Sequence, residues 1–290
     1  MRIVYHLGAH CTDEGNLLRV LLRNRASLAA LGTAVPEPDR YPDLLRAAAA
    51  AFAGKPPGAE AAAALRAALA PEGSGRLVLS FESFLAFPRD AVTPAAFYPG
   101  AAARAQGLAA LFPEAEVEFH LAIRNPATWL PALSAKRRAK GQDPLPEGFD
   151  ARALRWSDLV ARLADAVPDA TVTVWCDEDS PLIWHRILRA LADQPEAMEL
   201  DGALAFPSGL MTPEGAQALA AWFAQARPAT DATRRDGIAA QLERHALPER
   251  METAIDLPGW TAETVASLSA AYDADLDRIA ALEGVRLLLP

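Results

Sequence analysis

The chain has 290 residues and a formal net charge of −9, a balance that disfavours a generic nucleic-acid or anionic-membrane surface. Its 51% hydrophobic and 22% charged residues suit a globular protein with a substantial core and argue against whole-chain disorder. With only Cys11 and Cys176, a disulfide framework is not available, and a reducing, cytoplasmic location is expected.

The apolar run from Met1 to Gly8 is too short for a secretory signal. No stretch approaches the roughly 20 uninterrupted apolar residues of a membrane span. Ile3 to Leu7 is β-branched and aromatic and ends at Gly8, which predicts a buried strand. Helical periodicity begins near Glu14: Leu17, Leu18, Leu21, Leu22, Leu28 and Leu31 share one face until Gly32 stops it. A loop from Pro36 to Tyr41 leads into two Ala-rich helices across 42–53 and 59–70.

After a turn at 71–75, Arg76 to Ser80 predicts a second strand. Residues 83–100 are proline-punctuated and irregular, and a helix resumes from Ala101 to Phe112. Glu116 to Arg124 predicts a third strand, stopped at Asn125-Pro126, with a helix after the proline. A loop at 141–150, a helix at 151–166, a strand from Thr171 to Trp175 and a helix after Pro181 follow. From Thr212 the pattern is helical until a last strand, Val285 to Leu289.

Strands alternating with helices predict an α/β fold with a parallel sheet flanked by helices and a helix-rich C-terminal portion. We divide the chain into a core at 1–195 and a helical subdomain or cap at 196–290, with Pro195 to Gly209 as the junction.

The first strand-to-helix junction carries the most chemistry. His6-Leu7-Gly8-Ala9-His10-Cys11-Thr12-Asp13-Glu14-Gly15 links a buried strand to a helix, the arrangement in which loop amides and the helix dipole converge on an anion. The Walker Gly-Lys-Ser/Thr pattern is absent. With Asn24-Arg25-Ala26-Ser27-Leu28-Ala29-Ala30-Leu31-Gly32 and Pro36, the segment instead resembles the entry loop of a bacterial sulfotransferase-like family. Leu79-Ser80-Phe81-Glu82 resembles that family's strand-end Ser-x-Glu. Ile123-Arg124-Asn125-Pro126 with Trp129-Leu130 resembles its grip on a nucleotide 3′-phosphate.

The resemblance implies a P-loop sulfotransferase plan using 3′-phosphoadenosine 5′-phosphosulfate as donor. Gly8, Ala9, His10, Cys11, Thr12 and Gly15 would cradle its phosphosulfate, and Arg124 and Ser134 would hold the 3′-phosphate. The acceptor would be a hydroxyl of a sugar or small metabolite, deprotonated by Glu82 with His10 beside it. Glu82 also reads as a solvated carboxylate or a partner of Arg124, and Arg124 as half of a structural ion pair. His10 reads equally as polar packing, and Cys11, ahead of a helix, as a thiol of lowered pKa.

Cys11 stands where the family has lysine; Asp13, Glu14 and Gly15 stand where it has small or hydroxylic residues; and the serine expected past Arg124 falls at Ala132. Carboxylates about 5 Å from the developing charge would each cost roughly 3 kcal/mol at an effective dielectric near 20. Asp13 therefore either caps the helix through Gly15 or Asn16, leaving the amides free, or occupies the anion site itself. The second case defines the alternative, a non-catalytic binding or scaffold member that has lost the donor. Lys136, Arg137, Arg138 and Lys140 form either a solvated basic surface or a funnel for an anion. Cys176-Asp177-Glu178-Asp179 lacks a histidine at useful spacing, so no metal is expected.

Overall fold

Six short runs pair into one sheet in the computed structural model, which describes residues 1–52, 54–94, 96–251, 255 and 257–290. Ala53, the end of an expected helix, lies outside the described residues, as do Ala95 and residues 252–254 and 256. The strands are β1 (Arg2–His6), β2 (Thr33–Ala34), β3 (Arg76–Ser80), β4 (Glu116–Ile123), β5 (Thr171–Cys176) and β6 (Val285–Leu288). Their order is β2-β3-β1-β4-β5-β6, and every neighbouring pair is parallel.

The fold is therefore α/β, with a parallel sheet flanked by helices and helices throughout the C-terminal part. The last strand is an edge of this same sheet. Sequence periodicity missed β2, because two residues are too few to show a period. Gly32, with φ +84°, turns the chain into β2, and its carbonyl accepts the N–H groups of Gly75 and Arg76 at 2.9 and 3.1 Å.

Strand alternation sorts the side chains onto two faces. Ile3, Tyr5, Leu77, Leu79, Phe119, Leu121, Val172 and Val174 face one layer of the core. Helices Ala101–Ala110, Trp156–Ala166 and Ala262–Ala280 contribute to that layer. Val4, Val78, Ala122 and Trp175 face the other, together with helices Asn16–Arg23 and Ser180–Ala192. Helices Pro213–Ala226 and Asp231–His245 form a small satellite core of their own around Leu219 and Ile238.

The helix expected from Glu14 to Leu31 is two helices, Asn16–Arg23 and Arg25–Ala30. Asn24 causes the break: its amide donates to the carbonyls of Val20 and Asp201 at 2.8 and 2.9 Å and accepts the Asp201 N–H at 2.9 Å. Such side-chain bonds compete with the helical ladder. The helix expected at 151–166 begins only at Trp156, after a single 3-10 turn at Ala151–Ala153.

The second face also carries charge. Arg76, almost fully buried, donates to the carbonyls of Ala190 and Leu191 at 2.9 and 2.8 Å, closing the end of helix Ser180–Ala192. Its fork grips both oxygens of Glu118 at 3.1 and 2.6 Å. Burial would raise the Glu118 carboxyl, but hydrogen bonds from His120 and Arg76 hold it down at about 2. Arg76→Met strands a carboxylate and two carbonyls, and should cost about 3–5 kcal/mol in urea unfolding at neutral pH. The depressed carboxyl contributes stability above its ordinary value, lost as pH falls toward 2. The gap between wild type and variant should therefore narrow as the pH drops below about 4.5.

Candidate functional site

Ligands of open parallel sheets collect beyond the carboxyl ends of strands whose connections leave in opposite directions. Here β1 leads toward β2 on one side and β4 leads toward β5 on the other, so the crevice lies between β1 and β4. Leu7 and Ala9 extend β1 along β4 by donating to the carbonyls of His120 and Ala122 at 2.8 and 3.0 Å. The chain then coils, with positive φ at Gly8, Cys11, Glu14 and Gly15, before the helix begins at Asn16. Successive residues of this kind turn amide groups inward. Among the described residues, no acceptor takes the N–H of Cys11, Thr12, Asp13 or Gly15.

Side chains around the loop and within it lock it in place. The Tyr98 hydroxyl lies 2.7 Å from His10 Nδ1 and accepts the His10 N–H at 3.3 Å, while Ser83 Oγ lies 3.4 Å from Nε2. His10 is fully buried, and burial lowers its pKa to about 4, so it is neutral at pH 7 with both ring nitrogens engaged. The Trp129 indole donates to the His10 carbonyl at 2.8 Å. Arg124 donates to the Cys11 carbonyl at 2.8 Å and to Thr128 Oγ1 at 3.0 Å. Thr12 Oγ1 donates to the Ala9 carbonyl at 2.8 Å.

The expected low pKa of Cys11 is not observed. Its thiol sits well ahead of the first helical residue and is desolvated, and burial pushes it up to about 11. The N-cap is Gly15, not Asp13; Asp13 reaches past it to the first turn, at Leu17 rather than at Gly15 or Asn16. Its Oδ2 accepts the Leu17 N–H at 2.9 Å, and its carbonyl takes the Asn16 N–H at 2.9 Å. A carboxylate thus rests on an N–H of the helix's first turn, where an anion is favoured.

Glu82 does share the crevice: a Cβ built on Gly8 would sit 3.9 Å from both its Cα and Cβ. Its two oxygens are each 2.5 Å from Lys136 Nζ. Lys136 thereby leaves the basic run, while Arg137 is buried and donates to the Asp143 carbonyl at 2.7 Å. Ser134 is fully buried, and its hydroxyl has no partner among the described residues.

The acids after β5 form a single 3-10 turn, Asp177–Asp179, and lie beside the crevice, within electrostatic reach of Asp13, Glu14 and Arg124. Glu178 accepts the Asn125 N–H at 2.8 Å and the Tyr272 hydroxyl at 3.3 Å. Burial raises the Asp177 carboxyl to about 7; Arg124 opposes the rise, and Glu178, Asp13 and Glu14 add to it. The only signal in the sequence was three acids following a strand. Tyr98 and Tyr272 gave none, being far from the loop in sequence. Among the described residues, no group of three or more His, Cys, Asp or Glu is placed to hold a metal ion. No described helix is long and apolar enough to cross a membrane. Comparison with family models, curated proteins and solved structures finds no match to this chain.

A carboxyl whose folded pKa is raised binds a proton that the unfolded chain has released, so it subtracts stability as pH climbs through that window. Asp177→Asn should match wild type near pH 4 and be the more stable protein at pH 8, measured by thermal unfolding. A variant that loses stability equally at both pH values would show that Asp177 acts through its packing and not its charge.

Proposed function

We propose that this chain is a sulfotransferase-like protein that no longer takes the phosphosulfate donor, and that binds a hydroxyl-bearing sugar or small metabolite beside Glu82 and Lys136. The observation that carries this reading is the Asp13 carboxylate on the Leu17 N–H, a built-in substitute for a donor phosphate. The surrounding charge supports it: Glu178, Asp13 and Glu14 all act on Asp177, with Arg124 as the opposing charge. Each negative charge about 8 Å from a phosphate costs roughly 2 kcal/mol at an effective dielectric near 20. Glu82 supports it too, since both of its oxygens are engaged by the Lys136 ammonium.

One observation favours the other reading, sulfuryl transfer from 3′-phosphoadenosine 5′-phosphosulfate to such a hydroxyl. Lys136 is close enough to favour the Cys11 thiolate electrostatically, so an ammonium from another helix reaches toward the place where the family has lysine. The loop amides without acceptors fit the same purpose.

Thermal unfolding with 3′-phosphoadenosine 5′-phosphate separates the two. Wild type should show no shift at millimolar nucleotide, whereas the double variant Asp13→Gly, Cys11→Lys should gain stability. Saturation at 100 times the dissociation constant adds about 2.7 kcal/mol. A shift of that size in wild type would establish donor binding and replace the proposal with the transferase reading.

A further inference from the structure

The sheet ends on β6, and no described strand pairs with the outer side of it. Which of its groups point outward follows from its ladder with β5. Val172, the register partner of Val285, donates its N–H to the Gly284 carbonyl at 3.2 Å. In a parallel ladder that bond turns the groups of Gly284, Arg286 and Leu288 toward β5. Those of Val285, Leu287 and, continuing the alternation, Leu289 then point away from it.

Two of the outward groups already have partners. The Val285 N–H donates to the Leu282 carbonyl at 3.4 Å, and the Leu289 carbonyl accepts from Arg186 at 2.7 Å. The other four, the Val285 carbonyl, the Leu287 N–H and carbonyl, and the Leu289 N–H, have no partner among the described residues. A row of such groups is a template for another strand. The side chains of the same residues line one face. Val285 and Leu287 lean on the core and stay partly exposed, while Leu289 is 47% exposed.

We propose that β6 pairs antiparallel with β6 of a second copy of this chain, about a two-fold axis through Leu287. Complementarity of the backbone partial charges carries the choice. In that register Leu287 faces its own copy, and the two exchange N–H···O=C bonds in both directions. The Leu289 N–H of each chain meets the Val285 carbonyl of the other, so all four free groups of each chain are satisfied. The groups left face to face, the Val285 N–H and the Leu289 carbonyl, are the two already partnered. Sliding the strands by two residues either way sets a free Leu287 group against one of those two instead. Sliding by one residue sets outward groups against inward ones.

Pairing also lays Val285, Leu287 and Leu289 beside their copies and covers Leu289. An antiparallel strand at the edge of a parallel sheet is a common arrangement, and two-fold dimers are the commonest oligomers. So short an edge buries less than the roughly 1,200–2,000 Å² of a stable interface, and the dimer is therefore weak and concentration-dependent. The edge is separated from β4 by β5, so each copy keeps its own crevice and the inference is independent of the reading given to it.

Analytical ultracentrifugation of the full chain tests this. The average mass should climb from one chain toward two between micromolar and near-millimolar protein. Over the same range the Leu287 and Leu289 amides should become protected from hydrogen exchange, whereas the Arg286 amide, turned toward β5, should not change. Leu289→Pro removes a donor that points away from β5, and Leu289→Lys puts a charge on the apolar row. Each variant, its fold confirmed by circular dichroism, should weaken association by about tenfold or more. A protein that stays monomeric to near-millimolar concentration overturns the proposal. A dimer that either variant leaves unchanged, or in which the Leu287 amide exchanges freely, overturns it as well, because another surface would then hold the copies together.

Discussion

The first turn of the helix after β1 presents N–H groups that the sheet cannot satisfy, and the identity of the acceptor decides what the crevice can be. In this chain Asp13 supplies it, 2.9 Å from the Leu17 N–H. A carboxylate on a first-turn N–H is favoured by the helix dipole by about 0.3–1 kcal/mol. It also places a fixed negative charge where a parallel α/β sheet otherwise gathers phosphates. The neighbouring acids reinforce that choice. Asp177 is desolvated and surrounded by Glu178, Asp13 and Glu14, so its carboxyl rises to about 7 even with Arg124 nearby.

The rest of the crevice is built for rigidity. His10 is pinned through its ring by Tyr98 and through its carbonyl by Trp129, and Arg124 spends a donor on the Cys11 carbonyl. Holding a loop of left-handed residues such as Cys11 and Glu14 requires such bonds, because L side chains disfavour that conformation. His10 is thus partnered within the fold, whereas the loop N–H groups of Cys11, Thr12 and Gly15 have no acceptor among the described residues. Glu82 and Lys136 face the loop from the far side and neutralise each other there.

The sequence was most legible where a pattern is local. Strands with several consecutive aliphatic residues, such as Arg76 to Ser80, stand at the expected places, and the loop of His6 to Gly15 lies at the carboxyl end of a central strand as its position between strand and helix requires. Legibility failed where a long-range contact decides. Asn24 breaks a helix by bonding Asp201, 177 residues away. The state of His10 is set by Tyr98, 88 residues away. Cys11 was given a low pKa from its nearness to a helix in sequence, whereas its desolvation depends on the packing around the loop.

The most direct test of the central claim is a crystal of wild type soaked in selenate, whose anomalous signal marks any bound oxyanion. The account predicts no selenate at the loop of residues 8–15, with the Asp13 carboxylate retained on the Leu17 N–H. Selenate bound to the loop amides with Asp13 swung away would contradict it, because the anion site would then be open and the carboxylate only its lid.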